Sequence, residues 1–470
     1  MAGAAERLAQ AAAQGDFAAA PAPVRAAYRD FLLDTVAVMA AGAAHGALAP
    51  VRAAIVASGG AGPASAAGCA QGVPAGIAAL VNGMAMTVLQ LQDGHRRARG
   101  HPMSHVLPAA LAVAEETGAD APAFLNAVMA GYEVSARIGA SLGGMQPLLH
   151  DTGTFGSIGA AVAAAHLFAR DSATGTRARL IADTIGNAAA VALFPFRDTC
   201  MEGAGAHHLF VGLGAQNGVM AARGALAGLA PSPDTLERFF GPRAGEGFAP
   251  DQLCDGIGAD GTWLRHEILS AYLKWHPVCA HLGPMLDCIE ALRARHGGFD
   301  PARIAAVRVE TYATALDYDA PDPRSDLAAR FSFRHAAALA LCFGPLRHDG
   351  FSPRRLDSAA VRAMAARVTL AVDPGLDALY PASRPGRVTL RFTDGQQDSA
   401  EVRVPKGDGP NPLPRADVNR KARTLIGAAW ADPARFDGIA RLLDRVEATP
   451  PADLPQALGR LLRSPFAPSP

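Results

Sequence analysis

The feature that most constrains the fold is a change in hydrophobic period along the chain. Up to about residue 290, apolar residues recur at the three- to four-residue spacing of helices. This spacing predicts helices over residues 24–43, 73–91, 121–142, 153–170, 180–193 and 213–229, and another that begins at Pro102 and stops before Gly118. Their high content of alanine and glycine predicts that the helices approach one another closely.

Farther along the chain, short segments alternate between apolar and polar residues, as strands do. Alternation over 305–312 and 367–373 predicts two strands, and 387–404 predicts a hairpin that turns at Asp394–Gly395. Helical segments near 281–296, 332–344 and 356–366 separate them. A connector rich in proline and glycine follows at 405–414, and helical spacing returns over 416–430 and 436–446.

These patterns predict a mainly α protein with two domains. A large all-helical domain is expected from both chain ends, residues 1–269 and 405–470, with a smaller α+β domain inserted at 270–404. The length of 470 residues also favours two domains, because a single core rarely grows beyond ~250–300 residues.

The charge balance excludes several classes of partner. The 43 basic residues are matched by 43 acidic residues, with no basic face or tail, so neither nucleic acid nor an anionic membrane is expected as a partner. The amino terminus lacks the basic start and apolar centre of a signal peptide. The longest apolar run contains Asn82 and is shorter than the ~20 residues of a spanning helix. The sequence therefore predicts a cytoplasmic protein.

Residues 93–108, D-G-H-R-R-A-R-G-H-P-M-S-H-V-L-P, concentrate titratable side chains in one loop. His101 directly precedes a predicted helix, and His150 stands just upstream of another. The free amides and the dipole at a helix N-terminus favour an anion. The repeated arrangement therefore predicts a substrate rich in carboxylates.

Asp93 closes the preceding predicted helix, where the dipole disfavours negative charge. Its carboxyl is expected to have a raised pKa and to serve as a base, unless the neighbouring His95 or Arg96 neutralises it. A cap or a solvated surface group is the ordinary alternative for each of these side chains.

A second cluster, Y-L-K-W-H-P-V-C-A-H-L-G-P at 272–284, lies where the α+β domain is predicted to begin. It contains Lys274, Cys279 and His281, and ligand sites favour domain junctions. No zinc spacing occurs around the histidines, and the six cysteines are scattered without a C-x-x-C pair. No metal is therefore expected.

The order of these motifs resembles the MmgE/PrpD family, which includes 2-methylcitrate dehydratase, cis-aconitate decarboxylase and iminodisuccinate epimerase. The resemblance runs through A-A-L-V-N-G-M-A (78–85), the 93–102 loop, A-G-Y-E-V (130–134), H-D-T-G-T-F-G-S-I-G-A-A (150–161), A-R-F-S-F (329–333) and P-K-G-D-G-P-N-P-L (405–413). It implies a helical domain made from both chain ends, an inserted α+β domain, an active site between the two, a homodimer and no cofactor.

By resemblance, the catalytic positions are Asp93, His101, His150 and Lys274. The expected substrate-binding residues are His95, Arg96, His207, Cys279 and His281. The chain departs from the family pattern in four places: Gln90 and Gln92 replace possible acids, His207 replaces a lysine, and Gly283 replaces a histidine.

The resemblance implies a lyase of the hydratase or dehydratase type that removes a proton next to a carboxylate of a small di- or tricarboxylate. The alternatives are an epimerase, isomerase or decarboxylase of a related dicarboxylate, or a carboxylate-binding homologue that has lost activity. Because histidine loses its charge near neutrality, His207 predicts substrate binding that weakens as the pH rises past ~7.

Overall fold

The computed structural model describes residues 3–467, and helices dominate its first half. Those up to residue 244 are α1 (Ala4–Gln14), α2 (Ala22–Ala44), α3 (Ala49–Gly59), α4 (Ala75–Ala85), α5 (Pro102–Thr117), α6 (Ala121–Ser141), α7 (Phe155–Phe168), α8 (Thr174–Ala190), α9 (His207–Leu226) and α10 (Gly241–Ala244). Helices α2, α5, α6 and α7 begin and end within two residues of the predicted positions, because the apolar spacing of each segment matches the face that it buries. Helices α8 and α9 begin six residues earlier than predicted, and α1, α3 and α10 were not predicted.

Close helix packing depends on glycine, as the composition predicts. A Cβ atom at Gly83 of α4 would lie 2.9 Å from the Cα atom of Gly212 in α9. One at Gly131 of α6 would lie 2.5 Å from the carbonyl oxygen of Gly159 in α7. Any larger residue at these crossings would push the helices apart.

The middle of the chain contains a four-stranded sheet covered by helices. The helices are α11 (Gly283–His296), α12 (Ala313–Leu316), α13 (Asp326–Ala329), α14 (Phe333–Phe343), α15 (Pro353–Leu356), α16 (Ala359–Ala365) and α17 (Pro374–Asp377). The strands among residues 3–467 are β1 (Gly94–His95), β2 (Ala271–Tyr272), β3 (Ile304–Thr311), β4 (Val368–Val372), β5 (Gly386–Phe392) and β6 (Gln397–Val402).

The sheet has the strand order β4-β3-β5-β6. β3 is parallel to β4, with Val307 opposite Val368, and antiparallel to β5. β5 and β6 form the predicted hairpin, with Gly386 opposite Val402 and Gly395 in the turn at a positive φ of 88°. This turn explains why glycine follows Asp394.

Helices α18 (Arg415–Trp430), α19 (Pro433–Asp444) and α20 (Leu454–Leu462) return to the first helical layer. α18 packs against α2, and α20 packs against α5. The buried ammonium of Lys421 in α18 lies 2.7 Å from a carboxylate oxygen of Asp34 in α2. This ion pair joins the carboxyl-terminal helices to the amino-terminal ones.

Two hydrophobic cores organise the described residues. One draws side chains from Leu8 to Leu273 and again from Leu413 to Leu462. The other contains residues from Val278 to Leu390 together with Cys200. The mainly α fold class with a smaller α+β region is therefore confirmed, while the domain boundaries at 269/270 and 404/405 stay predictions.

The prediction for α4 was wrong at its end, because the helix stops at Ala85 instead of Leu91. Arg330 donates to the carbonyl of Leu89, and Lys421 donates to the carbonyl of Leu91, so these carbonyls bond to side chains and not to helical amides. Gln90 between them has a positive φ of 52°. Residues distant in the sequence therefore hold the segment that follows this helix.

Within residues 3–467, no single helix combines the length and the apolar character needed to cross a membrane. One pair, Ala22–Ala44 and Ala49–Gly59, meets both requirements together but is bent by 97°.

Candidate active site

A cavity of about 460 Å³ is lined by residues from both hydrophobic cores. Its size is that of a site for a small molecule. Of the predicted site residues, His101, His150, Lys274, Cys279 and His281 line this cavity. They come from the 93–108 loop, from the segment before α7 and from the segment after β2, so the fold brings together three distant parts of the sequence.

The pairing of β1 with β2 places two of these segments side by side. Gly94 lies opposite Tyr272, and His95 lies opposite Ala271. A Cβ atom at residue 94 would lie 2.1 Å from the Tyr272 ring, so only glycine fits. This short ladder sets the 93–108 loop beside Lys274.

Asp93 is completely buried, and its carboxylate contacts the N-terminus of α5. Its oxygens accept hydrogen bonds from the main-chain nitrogens of Met103 (3.0 Å) and Ser104 (3.1 Å) and from the Ser104 hydroxyl (2.7 Å). Burial raises its pKa to about 6, as the sequence suggested. The expected cause, a position at the end of the preceding helix, was wrong, because Asp93 lies beyond that helix and caps the following one. Asp93 also does not line the cavity.

His101 occupies the N-cap position of α5 and lines the cavity. Its Nδ1 atom bonds to the main-chain carbonyl of Asp93. A carbonyl can only accept, so we assign the proton to Nδ1 and a free lone pair to Nε2. Burial lowers the pKa of His101 to about 3, so the ring is neutral and can accept a proton at Nε2.

His105, one turn into α5, joins the two histidine segments. Its Nδ1 donates to the carbonyl of His101 (3.0 Å), and its Nε2 accepts the main-chain N–H of Gly153 (2.9 Å). Both ring nitrogens are therefore used by the neutral ring, and burial lowers its pKa to about 4. His105 holds the segment of His101 against the segment of His150, a role that the sequence reading did not assign.

His150 is adjacent to a carboxylate. Its Nδ1 accepts a hydrogen bond from the main-chain N–H of Thr152 (3.1 Å) and lies 3.1 Å from Oδ1 of Asp151. Burial would raise the pKa of Asp151, but His150 and His101 hold it well below its usual range. Asp151 Oδ2 is buried without a hydrogen-bond partner among the described residues. An anion thus lies beside His150 and His101 and supports positive charge on either ring.

Lys274 is the buried cation of this group, with 6% of its surface exposed. Burial lowers its pKa to about 8, so it is mostly charged at neutral pH. In the described part of the chain, no carboxylate oxygen lies within 4.0 Å of its ammonium. A cation without a partner in a cavity is suited to bind an anionic substrate.

Cys279 and His281 complete the wall next to Lys274. Burial raises the pKa of the Cys279 thiol, which is therefore a neutral group and not a nucleophilic thiolate. The His281 ring stacks on Tyr318 at 4.7 Å, and its Nδ1 lies 2.6 Å from the Tyr312 hydroxyl. Burial lowers the pKa of His281 well below its usual range, so the ring that lines the cavity is neutral.

Three of the predicted substrate-binding residues lie outside the cavity lining. His95 Nε2 is 2.9 Å from the carbonyl of Glu267, and Arg96 lies 3.4 Å from the carboxylate of Asp408. Both side chains therefore join loops instead of facing the cavity. His95 lies on β1 beside the segment that precedes β2, and Arg96 lies in the turn that follows β1.

His207 lies in the first turn of α9, behind His150, with the two ring centroids 5.0 Å apart. Its Nε2 is 3.1 Å from the Gln90 amide nitrogen. Burial, together with His150, holds the pKa of His207 well below its usual range. The expected loss of its charge near pH 7 is therefore not supported, because the buried ring is already neutral there.

The sequence reading missed Arg99, Asp151, Tyr318 and Arg384, all of which line the cavity. Asp151 had a signal, since it directly follows His150. Tyr318 and Arg384 had none, because they stand 37 and 103 residues after His281, outside every motif, and reach the cavity only through the fold.

Two groups of described residues have metal-binding composition, with ligand atoms within 4.8 Å of one another: His150, Cys200 and His207, and His276, Asp287 and Glu290. Burial raises the pKa of Cys200, and its thiol donates to the carbonyl of Arg197 at 3.0 Å. His276 Nε2 lies 2.8 Å from Asp287, as in an ordinary ion pair. Some of these ligand atoms therefore have partners within the protein, whereas Nδ1 of His207 and Nδ1 of His276 are buried without one among the described residues. The expectation of no metal or cofactor stays a prediction.

Comparison with known proteins agrees with this architecture. The model of the MmgE/PrpD N-terminal domain matches residues 6–244, and that of the MmgE/PrpD C-terminal domain matches residues 276–454. A relative, the cis-aconitate decarboxylase-like protein oryM of Aspergillus oryzae, is 25% identical over 390 residues, which are 75% of each chain. The two domain models together span most of the sequence, and the chain therefore belongs to the MmgE/PrpD family.

Proposed function

We propose that this protein is a cofactor-independent lyase of the hydratase or dehydratase type that acts on a small di- or tricarboxylate. The observation that carries the proposal is that His101, His150 and Lys274 line a single cavity. The family includes dehydratases and decarboxylases, which supports an enzymatic role. A homodimer in the cytoplasm remains part of the proposal.

The first proposed step removes a proton from the carbon next to a substrate carboxylate. The free lone pair on Nε2 of His101 accepts this proton, and the electron pair spreads onto the carboxylate oxygens beside the Lys274 ammonium. A bound polyanion favours the imidazolium, so it raises the low pKa that His101 has without substrate. Asp93 acts indirectly, by capping α5 and holding His101 through its carbonyl.

In the second step, a hydroxyl on the next carbon leaves as water while the C=C bond forms. His150 in its imidazolium form gives the leaving oxygen a proton from Nε2. In that form Nδ1 carries a proton toward Asp151 (3.1 Å) and gives up the hydrogen bond that it accepts from the Thr152 N–H in the protein without substrate. The reverse sequence hydrates an unsaturated acid with the same residues.

Decarboxylation is the second candidate, because the oryM relative bears the name of a decarboxylase-like protein. Loss of CO₂ leaves a similar carbanion, which His101 or His150 would protonate. An epimerase would use the two histidines on opposite faces of one carbon. A binding protein without activity is the remaining alternative, since Gln90, Gln92 and His207 replace expected acids and a lysine.

Proton NMR in heavy water separates these alternatives. We would incubate the protein with citrate, malate and cis-aconitate and follow all signals over time. Alkene signals from a hydroxy acid indicate dehydration, and loss of a carboxyl-bearing carbon indicates decarboxylation. Deuterium exchange alone indicates epimerisation. No change in a broader panel of such acids would overturn the enzyme proposal.

The choice of base is tested by two variants. His101→Ala should lower turnover by about 10²–10⁴-fold, the usual contribution of a positioned base. Asp93→Asn keeps an acceptor at the start of α5 and should lower it far less. If Asp93→Asn were inactive while His101→Ala remained near normal, the assignment of the base would be wrong.

A further inference from the structure

Arg384 is a buried cation that the proposed chemistry does not use. The residue stands between α17 and β5 in the sequence. Its side chain lines the cavity, with 8% of its surface exposed. Among residues 3–467, no carboxylate oxygen lies within 4.0 Å of its guanidinium, and its Nε is buried without a hydrogen-bond partner. Asp408, the acidic residue of the adjoining pocket, is instead 3.4 Å from Arg96.

Such a group is costly unless something pairs with it. A buried charge loses its hydration, and proteins normally compensate with an opposite charge and hydrogen bonds. Other buried arginines in this chain follow that rule. Arg137 lies 2.6 Å from Glu133, and Arg330 forms an ion pair with Asp326 and donates to three carbonyls. Arg384 is different, because its donors remain available to a molecule in the cavity.

Aromatic side chains surround Arg384 and fix the orientation of its guanidinium. The guanidinium carbon lies 4.9 Å from the centroid of the Tyr272 ring. Tyr380, four residues earlier, stacks on Tyr312 at 4.5 Å, and both Tyr272 and Tyr380 line the cavity. An aromatic surface holds the planar fork in place while leaving its N–H groups free to bind a carboxylate with two parallel hydrogen bonds.

Arg384 and Lys274 belong to different parts of the fold. Lys274 follows β2, next to the first hydrophobic core, whereas Arg384 precedes β5 of the four-stranded sheet. Lys274 is assigned above to the carboxylate at the reacting carbon. We propose that Arg384 binds a second, remote carboxylate of the same substrate and thereby selects polycarboxylates over monocarboxylates.

The inference rests on the proposed function and narrows its substrate class. A molecule with one carboxylate would leave Arg384 buried and unpaired, so it would bind weakly even if its reacting carbon were identical. Selection therefore comes from the cost of an unsatisfied cation as well as from the new contact.

Calorimetric titration with inert probes tests this role without requiring turnover. The probes are propane-1,2,3-tricarboxylate, glutarate and butyrate, none of which has a hydroxyl to eliminate. The natural protein should bind the two polycarboxylates much more tightly than butyrate. Arg384→Gln should weaken binding of the polycarboxylates by roughly 10–100-fold, the usual worth of a hydrogen-bonded charge, and should leave butyrate within about threefold.

Arg387→Gln is the matched control. It removes the same charge three residues away, on β5, where Arg387 lies 2.8 Å from Glu401 and outside the cavity lining. Its affinity for all three probes should stay within about threefold of the natural protein. Arg384→Lys keeps the charge but not the fork, and it should recover only part of the loss.

Thermal unfolding separates a binding role from a structural one. Without probe, Arg384→Gln should unfold at the same temperature as the natural protein or higher, because it removes an unpaired buried charge. Unchanged polycarboxylate affinity in Arg384→Gln, or a drop in its unfolding temperature of many degrees, would overturn the inference. If the probes bind as expected but no substrate is turned over, the proposed lyase function fails while the role of Arg384 stands.

Discussion

Two buried lysines, Lys421 and Lys274, lie side by side yet differ in every contact of their ammonium groups. The Lys421 ammonium lies 2.7 Å from Asp34 and donates to the carbonyls of Leu91 (3.2 Å) and Lys274 (2.7 Å). The Lys274 ammonium faces the cavity and pairs with no carboxylate in the described residues. Their exposures are almost equal, at 7% and 6%. The contacts of each ammonium group, and not its burial, distinguish a structural charge from one that is available to a ligand.

The largest effect should come from removing the unpaired charge. Lys274→Met should lower turnover of the polycarboxylate substrate by about 10²–10⁴-fold, because its ammonium is the group proposed to stabilise the carbanion charge at the reacting carbon. Its unfolding temperature should hardly change, since no ion pair is lost. Steady-state kinetics and thermal unfolding measure the two. Lys406→Ala is the control, as Lys406 pairs with Asp417 away from the cavity. A Lys274→Met protein of normal activity would contradict the comparison.

Removing the paired charge should have the opposite profile. Lys421→Met should lower the free energy of unfolding by about 3–5 kcal/mol, because Asp34 would remain buried without its cation. Chemical denaturation measures this loss. The double variant Asp34→Asn with Lys421→Met should recover part of it, since the uncompensated carboxylate is gone. If the double variant were as unstable as the two single losses added together, the two residues would not act as a pair.

The smallest effect, and the sharpest on mechanism, is the pH dependence. Lys274 is charged below its pKa of about 8, so binding of a polyanion is complete at lower pH and weakens as the pH rises through 8. We expect kcat/KM to fall above this pH by close to tenfold per unit. The fall should be absent in Lys274→Met. A decline near pH 7 that persists in this variant would indicate a histidine instead.

Much of the fold could be predicted from the sequence, because helices and strands record their burial in local spacing. The hairpin over β5 and β6 and the helices α5 and α6 need no information beyond their own residues. The path of the chain after α4 does, since Arg330 and Lys421 bind the carbonyls of Leu89 and Leu91 there. Local sequence patterns cannot reveal a hydrogen-bond partner that lies hundreds of residues away in the sequence.

The candidate site likewise contains residues that local motifs predict and residues that they do not. His101, His150 and Lys274 stand in motifs, and all three line the cavity. His95 and Arg96 stand in the same motif but contact Glu267 and Asp408, since His95 lies on β1 beside the segment that precedes β2 and Arg96 lies in the turn after β1. Arg384 belongs to no sequence motif. It is recognised only in the structure, where its guanidinium has no ion-pair partner among the described residues. Roles beyond these positions remain predictions for the experiments above.

The capture of the Leu89 and Leu91 carbonyls also has a consequence during synthesis. The ribosome makes the segment that leads into the 93–108 loop more than two hundred residues before Arg330 and more than three hundred before Lys421. Until both cations have emerged, the carbonyls of Leu89 and Leu91 lack the side chains that bind them in the folded protein. A nascent or truncated chain that ends before residue 421 would thus contain its motif histidines yet lack one of the contacts that hold the segment leading to them, and the arrangement that the proposed function requires would be complete only when the last helices dock.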